Sequence, residues 1–521
     1  MDSLPLEILT LIINAGDHSV KKAPFAALSK TWQAAMERYT FAQLYVQTRE
    51  QAEFQRILAP ANRRSALAHL RWRVTLPPYP RNSDDGDAAP ETVDEQREND
   101  VLFTKGVVDL LALLASWEKQ APGVKTAKML TLELSAQAEE PNFTEWGNDS
   151  VHSNRFMRSL LRLRGDEPLP LLERPVALVI DPYCPRNIEG VSIGKIACAF
   201  SNLVQANVKL FDGEKLDPKL RQQQRFGELL NSECLFESTQ YTNTISLKDM
   251  AKQLRKIQTK SLTHLFIDIF QNPTRNEDYP APIALHASEP STDHLSEAIH
   301  QLSLAPTLKY FFLSGFSVIS DALFWPKSAA EANPPTWPNL EVFIVEFDMK
   351  TPDGDWYYLR GGQPSYLNRD NLVVTSLDDE DHDELDDIDK FSDRYLEEDA
   401  IEARVAVGES PYNPTRNIPD TGKLVPFFKA VARAAAQMPK LRVLTVKTVS
   451  EPRRIGCEVA FAAPGVFCQH DERFTREAED MEELKDKCRL FCRGSAADET
   501  CLNIWREGEA RKGRELHVHV L

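Results

Sequence analysis

Four segments of the chain share one spacing: Leu262-x-x-Leu265-x-Ile267, Leu308-x-x-Phe311-x-Leu313, Leu340-x-x-Phe343-x-Val345 and Leu441-x-x-Leu444-x-Val446. The last two positions of each are two residues apart, the period of a strand burying one face. Proline stands two residues before three of them, at Pro306, Pro338 and Pro439. Helical patterns at Leu247–Gln258, His294–Leu304 and Leu424–Met438 precede at least three. Helix followed by strand, repeated, predicts a mainly parallel sheet with helices packed on it.

Upstream the same alternation is expected. Leu44 and Val46 begin it, Glu50 to Leu58 reads as a short helix, and Leu70, Trp72, Val74 and Leu76 as a strand stopped by Pro77-Pro78. Val101 to Lys119 is predicted helical, Leu130, Leu132 and Leu134 a strand, and Val151 to Arg164 a helix. Val176 to Ile180 follows as a buried strand and Val191 to Gln205 as a helix.

The repeated segments resemble the leucine-rich repeat, whose units bury their faces only by stacking. Starts are 46, 32 and 101 residues apart, so the period is irregular. Phe270, Phe316, Asp348 and Val449 hold the position that family fills with Asn or Cys. The resemblance implies an irregular solenoid; a doubly wound α/β domain is the alternative. In such a solenoid, residues alternating with the buried ones face the concave side, and Phe266, Phe312 and Ile344 form an apolar stripe there. A contiguous apolar patch of this kind marks a partner site, with a protein target as the expected partner; the alternative is that a helix or the chain's own C-terminal segment covers it.

The amino terminus carries a different signal. Leu4, Ile8, Leu9 and Ile12 fall on one side of a short helix, with Ser3 as cap and Pro5 in its first turn. A second helix is expected from Pro24, with Phe25, Leu28, Trp32, Met36 and Tyr39 at spacings of three and four. Neither is long enough to be stable without burying its stripe. Leu4-Pro5-x-Glu7-Ile8-Leu9, the pair Ile12-Ile13 and the closing Leu28-Ser29-Lys30-x-Trp32 resemble the F-box, the adaptor-binding motif of Skp–cullin–F-box ubiquitin ligases. Ser29 replaces a frequent cysteine, and the loop from Asn14 to Lys22 is polar. The resemblance implies a substrate-receptor subunit that binds a Skp-type adaptor, and through it a cullin, by Leu4, Pro5, Ile8, Leu9, Ile12, Leu28 and Trp32. Its rival is a non-catalytic scaffold whose hairpin only caps the repeats.

The fold class expected is therefore α/β. An F-box-like unit (1–45) leads through linker elements (46–80) and an acidic loop (81–100) to the repeat region (101–375). An acidic insertion (376–400) and the last part of the solenoid (401–521) complete it. The formal charge of −17 is local. Asp378 to Asp399 holds 13 acidic and 2 basic residues, and Asn82 to Asp100 holds 8 acidic residues against Arg97. Blocks of that kind read as solvated loops. The cluster Arg63, Arg64, Arg71 and Arg73 has only Trp72 as an aromatic platform, so nucleic acid is not an expected partner. The run Val107 to Leu114 is too short to cross a membrane. Eight cysteines with no secretory leader point to a soluble cytoplasmic or nuclear protein.

Catalytic signals are weak. Gly190-Val191-Ser192-Ile193-Gly194-Lys195-Ile196 is one residue short of a phosphate-binding loop and lacks its Ser or Thr after the lysine. Cys468, His470, Cys488 and Cys492 lack zinc-ligand spacing, and Cys488 and Cys492 read as core residues of a helix. His517 and His519 alternate with Leu516, Val518 and Val520 on a terminal strand. No catalytic residue, metal or cofactor is assigned; loops such as Thr351 to Gly362 are where an unrecognised enzyme would carry its site.

Overall fold

The computed structural model describes residues 8–9, 12–13, 23–78, 91–120, 128–138, 159–165, 167–180, 186–211, 247–270, 285, 291–315, 317–328, 333–361, 416–449, 456–466 and 487–520. Leu4, Pro5, Cys468, His470 and the tract Asp378 to Asp399 lie outside them. In chain order the elements begin with α1 (Lys30–Thr40), β1 (Gln43–Gln47), α2 (Gln51–Ile57), α3 (Ala61–Ala66), β2 (His69–Leu76), α4 (Val93–Gln120) and β3 (Leu130–Ala138). They continue with β4 (Val176–Ile180), α5 (Gly190–Cys198), β5 (Leu203–Phe211), α6 (Leu247–Leu254), β6 (His264–Phe270), α7 (His294–Ser303), β7 (Tyr310–Gly315) and β8 (Val342–Phe347). The last are β9 (Tyr358–Arg360), β10 (Arg416–Pro419), α8 (Thr421–Ala436), β11 (Val443–Thr448), β12 (Glu458–Ala462), β13 (Cys488–Arg493), α9 (Glu499–Arg511) and β14 (Leu516–Val520).

Twelve strands form one sheet in the order β1 to β8, then β11 to β14, while β9 and β10 pair separately. Spatial order follows chain order throughout, so the sheet has none of the reversals that mark a doubly wound domain. In that sheet the strands from β1 to β5 pair in parallel, as do β7 with β8, β8 with β11 and β13 with β14, while β11–β12 and β12–β13 are antiparallel. The chain divides into two compact units. One is Met1–Phe211 with Lys256–Ile267 and Ala305–Leu308; the other is Asp212–Arg255, Asp268–Leu304 and Lys309–Leu521.

In the first unit, Leu44, Leu70, Leu132, Leu178 and Ala206 lie opposite one another across β1 to β5. Strands β2, β3 and β6 are entered by the same step: the N–H of His69 donates to Ala42 (2.9 Å), Thr131 to Ala68 (2.8 Å) and Thr263 to Val204 (2.8 Å). Phe54 of α2 packs its ring between Trp72 and Trp117. Helix α4 crosses β2 so closely that a Cβ at Gly106 would stand 3.0 Å from Thr48 Cγ2 and Val74 Cγ2. A side chain there would require the Thr48 and Val74 methyls to give way by a few tenths of an ångström.

Three expectations fail in this unit. Helix α4 starts at Val93 rather than Val101, so the acidic loop 81–100 ends early and Asp94 to Asp100 are helical. Thr92 and Glu95 close the start reciprocally: the Glu95 N–H donates to Thr92 Oγ1 (3.3 Å) and the Thr92 N–H to Glu95 Oε2 (2.7 Å). Asp100 is fully buried, accepts from the Arg162 N–H (2.8 Å) and pairs with Arg164 (2.7 Å); burial pushes its carboxyl above the usual range. Residues 159–165 are not helical, against the helix expected over Val151 to Arg164. The helix expected over Val191 to Gln205 stops at Cys198, and β5 begins at Leu203.

In the second unit, β7, β8 and β11 align Phe311 with Phe343 and Leu444, and Leu313 with Val345 and Val446. The entry step recurs, Val342 donating to Lys309 and Val443 to Glu341, both at 3.0 Å. All twelve apolar positions of the quoted repeats are buried. Phe427 of α8 lies against Phe347 (4.6 Å between centroids), and Trp505 of α9 stacks on Phe461 (5.6 Å). Helices therefore cover the face that carries Phe343, Val345 and Phe347. Gly315, at φ +85°, turns β7 past β6, where a Cβ would fall 2.3 Å from the Ile269 carbonyl oxygen. Cys488 and Cys492 are buried as expected, but in strand β13 rather than a helix.

Helix α7 holds a buried histidine. His300 donates from Nδ1 to the Leu323 carbonyl (3.0 Å) and meets Trp337 edge to face, while the Trp337 indole N–H donates to Ser303 Oγ (2.9 Å). Burial holds its imidazole below the ordinary 6.5. The unfolded chain then takes up that proton first, so the stability His300 contributes is present above about pH 6.5 and lost as pH falls through that range. Denaturant midpoints measured at about pH 7 and pH 5 should drop more for the native protein than for a His300→Gln variant. Equal drops would show that His300 carries none of the acid sensitivity.

Candidate functional site

The amino-terminal helices form a miniature core of Leu9, Ile13, Trp32, Ala35 and Met36, with Ala26 and Tyr39 packed against it. Ser29 caps α1, its Oγ accepting from the Trp32 N–H, and a 3₁₀ turn over Ala23–Ala27 precedes it. The helix therefore starts at Lys30, six residues later than the sequence suggested. Four large apolar side chains are exposed around this core: Ile8, Ile12, Phe25 and Leu28 are 41%, 47%, 38% and 59% exposed. Leu9 and Ile13 face inward while Ile8 and Ile12 face out, so the expected common side for Ile8, Leu9 and Ile12 does not exist. Trp32 is buried under Phe25, whose ring stacks on it at 5.6 Å, and it supports the surface rather than forming it.

This small unit is tied to the next elements of the chain. Glu37 of α1 accepts from Arg63 (2.8 Å) and Asn62 (3.0 Å) of α3, and the Arg63 guanidinium sits over the Phe41 ring. The Arg63 hydrogen bond holds the Glu37 carboxyl below its ordinary value.

The second surface is the sheet face opposite the helices. Phe312 and Ile344 lie side by side in register, both half-buried. Their row continues through Thr445, Ala460 and Phe491, all three buried, to His519. Phe491 and His519 stack at 4.9 Å, and the buried Thr445 hydroxyl has no hydrogen-bond partner. Glu346 and Lys447 pair beside the row at 2.9 Å. Phe266, on β6 in the first unit, stacks on His264 at 6.3 Å. Sequence reading missed Phe491 because β12 and β13 run antiparallel and break the repeat. The period of two in Arg489-Leu490-Phe491-Cys492 was the signal that could have found it.

Elsewhere reactive groups are held inert. Burial raises Cys488 and Cys501 to about 11 and Cys492 to about 12, leaving them as thiols. The glycine-containing segment resembling a phosphate loop is α5, and the Glu189 carboxylate already takes the Ser192 hydroxyl (2.8 Å) at its start. Ser192 Oγ in turn accepts the Leu163 N–H (2.9 Å). In the Thr351 turn, the Asp355 N–H donates to Thr351 Oγ1 (3.0 Å), and Lys350 and Asp348 form a buried ion pair at 2.8 Å. Among the described residues, no three His, Cys, Asp or Glu side chains converge as a metal site, and no helix is long and apolar enough to cross a membrane. No family model matches the chain, and no match to it was found among curated proteins.

Proposed function

We propose that the chain is a substrate-receptor subunit of a Skp–cullin–F-box type ubiquitin ligase. The observation that carries the reading is the amino-terminal unit, which closes its own core yet leaves Ile8, Ile12, Phe25 and Leu28 outside. A monomer gains nothing from four large exposed apolar residues on about twenty positions of chain; a partner helix would bury them. In this reading Ile8, Ile12 and Leu28 contact the adaptor and Leu9 and Trp32 hold them in place. The entry step shared by β2, β3, β6, β8 and β11 and the sequential strand order support an irregular leucine-rich-repeat-like solenoid as the target-holding part. Its face at Phe312 and Ile344 would hold a protein target near the charged enzyme, and the chain would act by raising effective concentration, with no chemistry of its own.

Ile8→Asp with Leu28→Asp should abolish co-purification with a Skp-type adaptor and leave the melting temperature nearly unchanged. Trp32→Ala should also lose the adaptor, but by opening the small core at a cost of about 3–5 kcal/mol to that unit. Undiminished binding by the double aspartate variant would sink the adaptor assignment and leave the hairpin as a cap on a scaffold.

A further inference from the structure

Among the described residues, strand β14 is paired along one side only. It pairs in parallel with β13, from Cys488 opposite Leu516 to Cys492 opposite Val520, and stands last in the strand order. In a parallel ladder each residue turns both backbone groups to the same neighbour, and successive residues alternate. The Cys488 N–H donates to the Glu515 carbonyl (3.2 Å), so Glu515, His517 and His519 present their backbone to β13. Leu516, Val518 and Val520 turn theirs outward. Among the described residues these outward groups meet no hydrogen-bond partner. Leu516–Val520 contains no proline, lysine or bulge of the kind that blunts a free edge.

We propose that β14 joins two copies of this chain, pairing antiparallel with the same strand of the second copy about a two-fold axis at Val518. Leu-His-Val-His-Val reads almost identically in both directions from its centre. The axis sets Val518 opposite itself, Leu516 opposite the partner's Val520, and His517 opposite the partner's His519. Every outward N–H and C=O then falls in a hydrogen-bonded pair. A slip of one residue would set outward groups against groups already used by β13, and a slip of two would shorten the overlap. The apolar residues of both strands meet on the side where Val518 lies opposite Leu490, and the histidines meet on the other. There His517 already lies 4.6 Å from His519, which stacks on Phe491. An extended peptide from another protein could use the same edge, but only a second copy makes use of the near-palindrome. This inference stands apart from the adaptor reading.

The test uses the full chain. Sedimentation should give twice the protomer mass for the native protein and the protomer mass for Val518→Pro, which removes an outward N–H and none that β13 uses. The melting temperature of that variant should be unchanged; should it fall, cysteine variants decide. Opposed residues in a hydrogen-bonded antiparallel pair lie about 5.5 Å apart at Cα, within disulfide reach. Val518→Cys should therefore form a covalent dimer on mild oxidation. Val520→Cys should not, since its two-fold copy is about 13 Å along the strand. A native protein that stays monomeric at all concentrations overturns the proposal. So does equal cross-linking by the two cysteine variants, or a mass that grows past the dimer as a head-to-tail chain would.

Discussion

Phe311→Ala is expected to destabilise the fold by about 3–5 kcal/mol, and Phe312→Asp, one residue on, by less than about 1 kcal/mol. Phe311 is fully buried, its ring stacked 4.8 Å from Phe343, which meets Phe324 edge to face. Truncation leaves a cavity between sheet and helices that these rings cannot close. Phe312 points to the other face, half-buried beside Ile344, and a carboxylate there keeps part of its hydration. If that face holds the target, Phe312→Asp removes binding while folding survives, because interface anchors tend to be central and aromatic. Denaturant titration of both variants separates the two roles. Equal destabilisation would mean that Phe312 is a core residue and that the receptor surface lies elsewhere.

The second large effect is expected at Arg186. Its guanidinium takes both oxygens of Glu91, at 2.6 and 2.9 Å, with side chains 0% and 1% exposed, and Asn99 donates to the same carboxylate (2.5 Å). Arg186→Met strands a buried carboxylate and should cost about 3–5 kcal/mol. Arg186→Met combined with Glu91→Leu should recover most of that loss, since a well-packed apolar pair avoids the desolvation of both ions. A double-mutant cycle in urea measures the coupling. If the double variant is no more stable than the single, the pair contributes through shape rather than charge.

Glu91 also shows where the sequence misleads. It sits in a stretch dense in acids that reads as a solvated loop, yet Glu91, Asn99 and Asp100 are drawn inward by Arg186, Arg162 and Arg164, residues some 60 to 95 positions away. Charge density says that a segment is costly to bury; it is silent on distant partners. The local signal was Thr92-x-x-Glu95. The repeats were legible for the opposite reason: the core face of each strand is apolar at a period of two, whatever the loops between do. Phe41-x-x-Leu44-x-Val46, Leu67-x-x-Leu70-x-Trp72 and Leu203-x-x-Ala206-x-Val208 follow the same spacing. In the last, Leu203-Val204 carry on the apolar run of the helix before them, so that the start of the strand reads as helix although Gln205, Asn207 and Lys209 alternate with apolar residues beyond it. At the amino terminus the exposed set was half legible. Periodicity fixes that Ile8 and Ile12 share a side, but only the packing of Leu9 and Ile13 on Trp32 decides which side is inside.

Sequential strand order bears on how the protein is made. On the ribosome each strand from β2 to β8 emerges to find its partner already synthesised, and no strand of that run has to wait for a distant segment. Chains whose sheets need late strands to complete early ones expose open edges during synthesis. Here the growing edge moves forward with the chain to β8, waits while β9 and β10 pair with each other, and then resumes at β11 and moves on to β14.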